Sequence, residues 1–214
     1  MIRRSEKVAR LGSRKPSRDF VKRLGEIDMF FEKRGREHQS LRRLVRNLNK
    51  AQIPYALMGG MAVNAHGAER TTRDIDVLLT PDGLERFRQT FVGRDYDQVP
   101  GRVRRFVDRR NGVSVDVLVS GRFPGSGRPG PIASPDPADA GEDMEKIRVL
   151  RLPKLIELKL AARRHADFAD VVFLIRIHGL DESFKTQLHS AVQRDFIECL
   201  EEKRREDEYE ARQD

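Results

Sequence analysis

The chain has 214 residues, 38% apolar and 36% charged, with 42 Lys+Arg against 34 Asp+Glu, a formal net charge of +8 and one cysteine. That balance suits one domain, or one domain with an appended helical part, and a modest core under a charged surface. It excludes a membrane-spanning helix, because no run of about 18 apolar residues occurs, and an internal disulfide, because Cys199 stands alone on an apolar helical stripe.

The N-terminal stretch "MIRRSEKVARLGSRKPSRDF" is basic but lacks the apolar h-region of a secretory signal, so the expected location is the cytoplasm. Residues 1–50 hold 16 Lys+Arg and 6 Asp+Glu, a net of +10; with +8 overall, the rest of the chain sums to −2. A basic arm over residues 1–40 on a near-neutral body suits a polyanionic partner, since neutralising phosphates releases counterions. The division expected is this arm, a core over 41–150 and a helical segment over 151–214.

In chain order, "HQSLRRLVRNLNKAQI" places Leu41, Leu44, Val45 and Leu48 at helical spacing, with Ser40 in the N-cap position. Pro54 opens a short apolar strand, "YALM", followed by Gly59-Gly60 and a short helix closed by Gly67. "DIDVLLT" reads as a second strand, and "PDGLERFRQTFV" as an amphipathic helix with Pro81 in its first turn. Then "VRRFVDRRNGVSVDVLVS" joins two β-rich runs through Asn111-Gly112, a strong hairpin signal.

Residues 121–141 contain five Gly and five Pro and read as a long loop. Its "GSGRPG" matches G-x-G-x-x-G, but Pro129, Pro131 and the lack of a following amphipathic helix remove the strand–turn–helix context of a dinucleotide site. From Ile147 onward the pattern is helical. One helix starts near Pro153, and another opens near Asp167 and ends at Gly179. A last helix carries Phe184, Leu188, Val192, Phe196 and Leu200 at steps of four and frays towards its charged end.

Alternation carries the chemical argument. Ile75, Val77 and Leu79 share one face of their strand, and Asp74 and Asp76 share the other; Val113, Val115, Val117 and Val119 likewise oppose Ser114 and Asp116. A small mixed or antiparallel sheet with helices under its apolar face would present all three aspartates on its free side. Two like charges at alternate strand positions repel unless a cation lies between them. Mg²⁺ suits such a place, taking one or two carboxylates, keeping waters and sharing the remaining positions with substrate phosphates. Glycine at Gly59 and Gly60 permits close backbone approach, and Arg70 and Arg73 lie just before the carboxylates.

The order strand, Gly-Gly, spacer, then Asp-Ile-Asp, with a later strand aspartate, resembles the nucleotidyltransferase (polymerase-beta-like) superfamily. "GGMAVNAHGAERTTRDIDV", with His66-Gly67, Arg70 and Thr72, is closest to abortive-infection-type nucleotidyltransferases that act as toxins of toxin–antitoxin pairs. "LPKLIELKLAARRHADFADVVFLI" is similar to that family's helical segment, with Lys159, Arg164, Asp167 and Asp170 in place and Ala166 where a basic residue is usual. The likeness spans roughly residues 41–178.

The resemblance implies the α/β nucleotidyltransferase fold with flanking helices. It also implies two Mg²⁺ ions, with Mn²⁺ as the alternative, on Asp74, Asp76 and Asp116. An NTP would be held by Gly59, Gly60, Arg70, Arg73 and Lys159, and NMP would pass to an acceptor hydroxyl as Asp116 helps deprotonate it. A tRNA or other RNA is the first acceptor it suggests, and a cognate antitoxin a further partner. His66, Thr72, Arg164, Asp167 and Asp170 stand as secondary site residues. His66 reads more readily as a hydrogen-bonded half-buried side chain than as a substrate contact, and Asp167 and Asp170 read as caps, as partners of Arg163 or Arg164, or as cleft lining.

Overall fold

The computed structural model describes residues 35–125 and 127–213. The expected arm therefore lies almost wholly outside the described residues. Helix α1 (Arg36–Lys50) begins one turn before the expected start, with Gly35 at its N-cap. Ser40 is consequently not a cap: it sits inside the helix, fully buried, and its hydroxyl donates to Asp108. Leu41, Leu44, Val45 and Leu48 form the buried stripe that the spacing predicts.

Strand β1 (Tyr55–Met58) runs into the short helix α2 (Gly59–Ala65), and β2 (Asp74–Leu79) leads to α3 (Pro81–Phe91). Thr80 caps α3, its hydroxyl accepting from Gly83 N–H at 2.9 Å, and Pro81 follows where a missing N–H is harmless. Next come β3 (Tyr96–Gln98), β4 (Arg105–Asp108) and β5 (Ser114–Val119), the last two forming the Asn111-Gly112 hairpin. Gly112 takes φ +67° there, a conformation that glycine adopts without steric cost.

The seven strands lie in the order β3-β4-β5-β2-β1-β7-β6. Four neighbouring pairs are antiparallel, while β2 with β5 and β1 with β7 are parallel. Mixed α/β architecture with an open, mostly antiparallel sheet matches the expected class. The apolar face packs on α1 and α3, where Phe87 lies 5.1 Å from both Tyr96 and Phe106, ring centre to ring centre. All three are fully buried, and each such side chain contributes roughly 1.5–3 kcal/mol.

Two strands at the sheet's far edge contradict the helical reading from Ile147. A one-turn helix α4 (Pro137–Ala140) leads into β6 (Gly141–Met144), which pairs antiparallel with β7 (Ile147–Leu150). The tight turn between them places Glu145 at φ +47° and Lys146 at φ +69°. Left-handed turn positions normally select Gly or Asn, so the turn carries no sequence signal. The long loop before α4 is closed at its base by Gly121 N–H to Ser134 O at 2.8 Å and Ser134 N–H to Arg122 O at 2.7 Å.

The C-terminal part comprises α5 (Leu152–Ala162), α6 (His165–His178), a 3₁₀ turn (Glu182–Gln187) and α7 (Ser190–Glu210). Gly179, at φ +58°, ends α6 as expected. The single expected last helix is broken at Leu188-His189, where the His189 ring accepts from Ala191 N–H and restarts the helix. Phe184, Leu188, Val192, Phe196 and Leu200 are all buried nonetheless, and α7 continues to Glu210 rather than fraying early. None of the described helices is long and apolar enough to cross a membrane.

Candidate active site

The sheet face opposite α1 and α3, together with α5 and α6, encloses a cleft of about 890 Å³. Parallel pairing sets Asp76 directly beside Asp116 and Asp74 beside Ser114. In-register neighbours of a sheet point to the same side, so Asp74, Asp76 and Asp116 share the cleft face. Behind them Ile75, Val77, Val115 and Val117 are buried in the core.

Asp76 has a raised pKa. Burial, then the charges of Asp74 and Asp116, push its carboxyl up to about 7, against weaker attraction from Lys159 and Arg164. Close packing enforces this. Gly59 opens α2 at φ +63°, and a Cβ there would lie 1.9 Å from Asp76 Oδ2. The same argument holds for Gly60, whose Cβ would press on Thr72 at 3.0 Å. Buried Thr72 in turn donates to Asp74 Oδ1 at 3.1 Å. The Gly-Gly pair thus lets the backbone approach the carboxylates and the threonine that steadies one of them.

Asp116 differs. Arg105, its antiparallel partner on β4, holds it in a fork: Nε to Oδ1 and Nη2 to Oδ2, both 2.6 Å. Arg105 is absent from the sequence reading. The hairpin could have revealed it, since stepping back from Asp108 and forward from Val113 brings Arg105 opposite Asp116.

The opposite wall is a network of paired charges. Lys159 is buried, and its ammonium donates to Asp170 at 2.6 Å and Asp167 at 3.3 Å. Arg164 grips Asp167 at 2.5 and 3.1 Å, and Arg70 bonds Asp170. Arg163 pairs elsewhere, with Asp195 at 2.9 Å. Asp167 and Asp170 therefore bind their neighbours and line the cleft as well.

Two sequence-predicted residues lie outside the cleft lining. Arg73, the residue just before β2, is exposed and does not line the cleft. His66 is buried, with Nε2 2.9 Å from Leu150 O, and burial lowers its pKa. Arg102, Arg104 and Phe123 line the cleft and were not singled out from sequence.

The donor set fits a divalent cation on Asp74 and Asp76. Both face the cleft, and burial and neighbouring charges are the largest influences on Asp76. Among the described residues no group of three or more His, Cys, Asp or Glu side chains is placed to hold a metal ion together. An ion that uses one or two carboxylates and fills its shell with water and phosphate does not require such a group.

Three solved structures are similar to this chain. A candidate nucleotidyltransferase from Helicobacter pylori shares 17% identity over 78% of this chain and 77% of that one, with a TM-score of 0.45. JHP933 from Helicobacter pylori shares 16% over 71% and 70%, at 0.43. An antigenic nucleotidyltransferase-like protein from Paracoccidioides brasiliensis shares 18% over 74% and 88%, at 0.41. No family model and no curated protein matches the sequence. The functional reading rests on the cleft itself.

Proposed function

We propose that the cleft binds an NTP and transfers its NMP to an acceptor hydroxyl with release of pyrophosphate. The observation that carries this reading is the register of β2 and β5, which places Asp76 beside Asp116 and Asp74 on the same cleft face. Asp74 and Asp76 would hold two Mg²⁺ ions, or Mn²⁺ in their place, and Asp116 would bind one of them. A bound cation would neutralise triphosphate charge and the charge that builds on pyrophosphate. Arg70 and Arg164 border the same space and favour an anionic occupant.

In the transfer, Asp116 accepts the proton of the acceptor hydroxyl. The oxygen forms a bond to the α-phosphorus as the bond from that phosphorus to pyrophosphate breaks, and pyrophosphate departs with the electron pair. The acceptor we favour is a tRNA or another RNA, given the basic first 50 residues; a protein side chain and a small molecule follow. A toxin role with a cognate antitoxin partner extends the same proposal. The second reading is a non-catalytic binding module, favoured by the closed Arg105–Asp116 pair.

Incubation with each labelled NTP, Mg²⁺ and total tRNA tests the proposal. Label on tRNA is expected, and Asp74→Ala with Asp76→Ala should abolish it without lowering the thermal midpoint. Label on protein alone would sink the RNA acceptor. A double variant that retained transfer, or its full cellular effect, would sink the enzyme reading.

A further inference from the structure

Among the described residues, Arg105 and Asp116 form the one strong charge pairing within the acidic face, and its geometry is at odds with a third carboxylate waiting for substrate. Both oxygens of Asp116 are engaged by two donors of one guanidinium, each at 2.6 Å. The pair lies in the cleft lining rather than the core, with the Arg105 side chain 46% exposed and that of Asp116 22% exposed. A fork of this kind matches carboxylate and phosphate equally well. It stands on a strand, so its backbone is fixed by cross-strand bonds while its head reaches the solvent-exposed cleft.

We infer that Arg105 is a positioning residue that exchanges partners, holding Asp116 in the NTP-free protein and moving to a substrate phosphate when the nucleotide arrives. The inference rests on the nucleotidyl-transfer reading. In the empty cleft Arg105 offsets part of the repulsion among Asp74, Asp76 and Asp116 and keeps Asp116 aimed across the sheet. It also competes with any divalent cation for the same two oxygens. Nucleotide draws the guanidinium off, and Asp116 is then open to take a proton from the acceptor. Binding is thereby ordered, NTP before acceptor.

The test is Mn²⁺ titration of the NTP-free protein, followed by electron paramagnetic resonance, on wild type, Arg105→Gln and Arg105→Lys. Binding of a non-hydrolysable NTP is measured alongside. Removing the competing guanidinium should tighten Mn²⁺ binding about fivefold, the scale of one exposed ion pair. It should also weaken nucleotide binding and raise KM for NTP more than it lowers kcat. Arg105→Lys, which keeps the charge without the fork, should fall between. A merely structural arginine predicts Mn²⁺ affinity unchanged or weaker in Arg105→Gln at a wild-type thermal midpoint, and that result overturns the exchange alone. Absence of Mn²⁺ binding in both wild type and Arg105→Gln overturns the exchange together with the cation site. Should Arg105→Gln melt early, Arg105→Lys decides: wild-type Mn²⁺ and NTP affinities there overturn the exchange.

Discussion

Asp76 and Asp108 stand two strands apart on one sheet, and their surroundings are opposite. Asp108 faces the core, where it is fully buried. It accepts from Ser40, from Arg43 with Nε at 3.1 Å, and from Arg110 N–H at 2.9 Å. Burial alone would push its carboxyl up, but these hydrogen bonds and the Arg43 charge together bring it below its ordinary value. Asp76 faces the cleft among like charges, and its carboxyl rises to about 7. One aspartate is stabilised as an anion by partners that also pin α1 to the hairpin. The other is held as a costly anion in a place shaped by glycine. A fold spends stability where a charge must stay available for a ligand, and recovers it where the charge is locked away.

The largest effect should follow from breaking the satisfied member. Asp108→Ala leaves the Arg43 guanidinium, only 16% exposed, without its carboxylate. Such an orphaned charge costs about 3–5 kcal/mol, measurable as a fall in the urea midpoint. Transfer activity per folded molecule should be unchanged. Gly59→Ala attacks the other member through its support. The methyl would need the space of Asp76 Oδ2, and φ +63° disfavours any side chain. Displacing a reacting group by about 1 Å costs roughly 100-fold in rate, so kcat should drop by at least that while far-UV circular dichroism stays native.

The acidic face was legible because strict alternation announces which side chains share a side, and Ile75, Val77 and Leu79 left no doubt which side was core. What alternation cannot disclose is the neighbour. Nothing in the sequence says that β2 and β5 run parallel in register, so Asp116 could be placed on the right face but not beside Asp76. Arg73 was chosen for closeness along the chain, yet Arg105, reached across the hairpin, does the pairing. Lys159 was expected to hold the NTP; its partners sit on the next helix, where Asp167 and Asp170 receive it. The β6–β7 hairpin escaped because Glu145 and Lys146 occupy turn positions that glycine or asparagine usually mark.

A smaller effect, of opposite sign, sharpens the contrast. Asp76→Asn should stabilise the metal-free protein by about 1–2 kcal/mol at pH 8, because a buried charge, repelled by two others, is gone. The sign follows from the raised carboxyl. Below its ordinary value of 3.8 both folded and unfolded states are protonated and no penalty exists. As pH rises towards 7 the unfolded chain ionises while the fold resists, so the penalty grows and is complete above about 7. Wild type in EDTA should therefore lose stability between pH 4 and 7, and the variant should show a flatter profile. Asp108 acts in a different window. Its lowered value means its contribution is present above 3.8 and is lost as acid titrates the folded carboxylate below that. Urea melts at pH 3, 5 and 8 would separate the two; parallel profiles for wild type and Asp76→Asn would refute the repulsion argument.

The smallest expected effect asks whether pairing or burial gives Asp108 its weight. Asp207, on the last turns of α7, is paired as well, with Lys203 at 2.5 Å and Arg176 at 3.5 Å, and these contacts lower its carboxyl too. Its side chain is 40% exposed, so water serves whichever partner is removed. Exposed ion pairs gain little because solvent screens the attraction and the long side chains lose freedom in making it. Asp207→Ala should leave the melting midpoint within experimental scatter, at low salt as at high. A loss comparable to that of Asp108→Ala would mean that pairing alone, irrespective of burial, sets the worth of a carboxylate in this protein. The contrast between cleft and core would then need another cause.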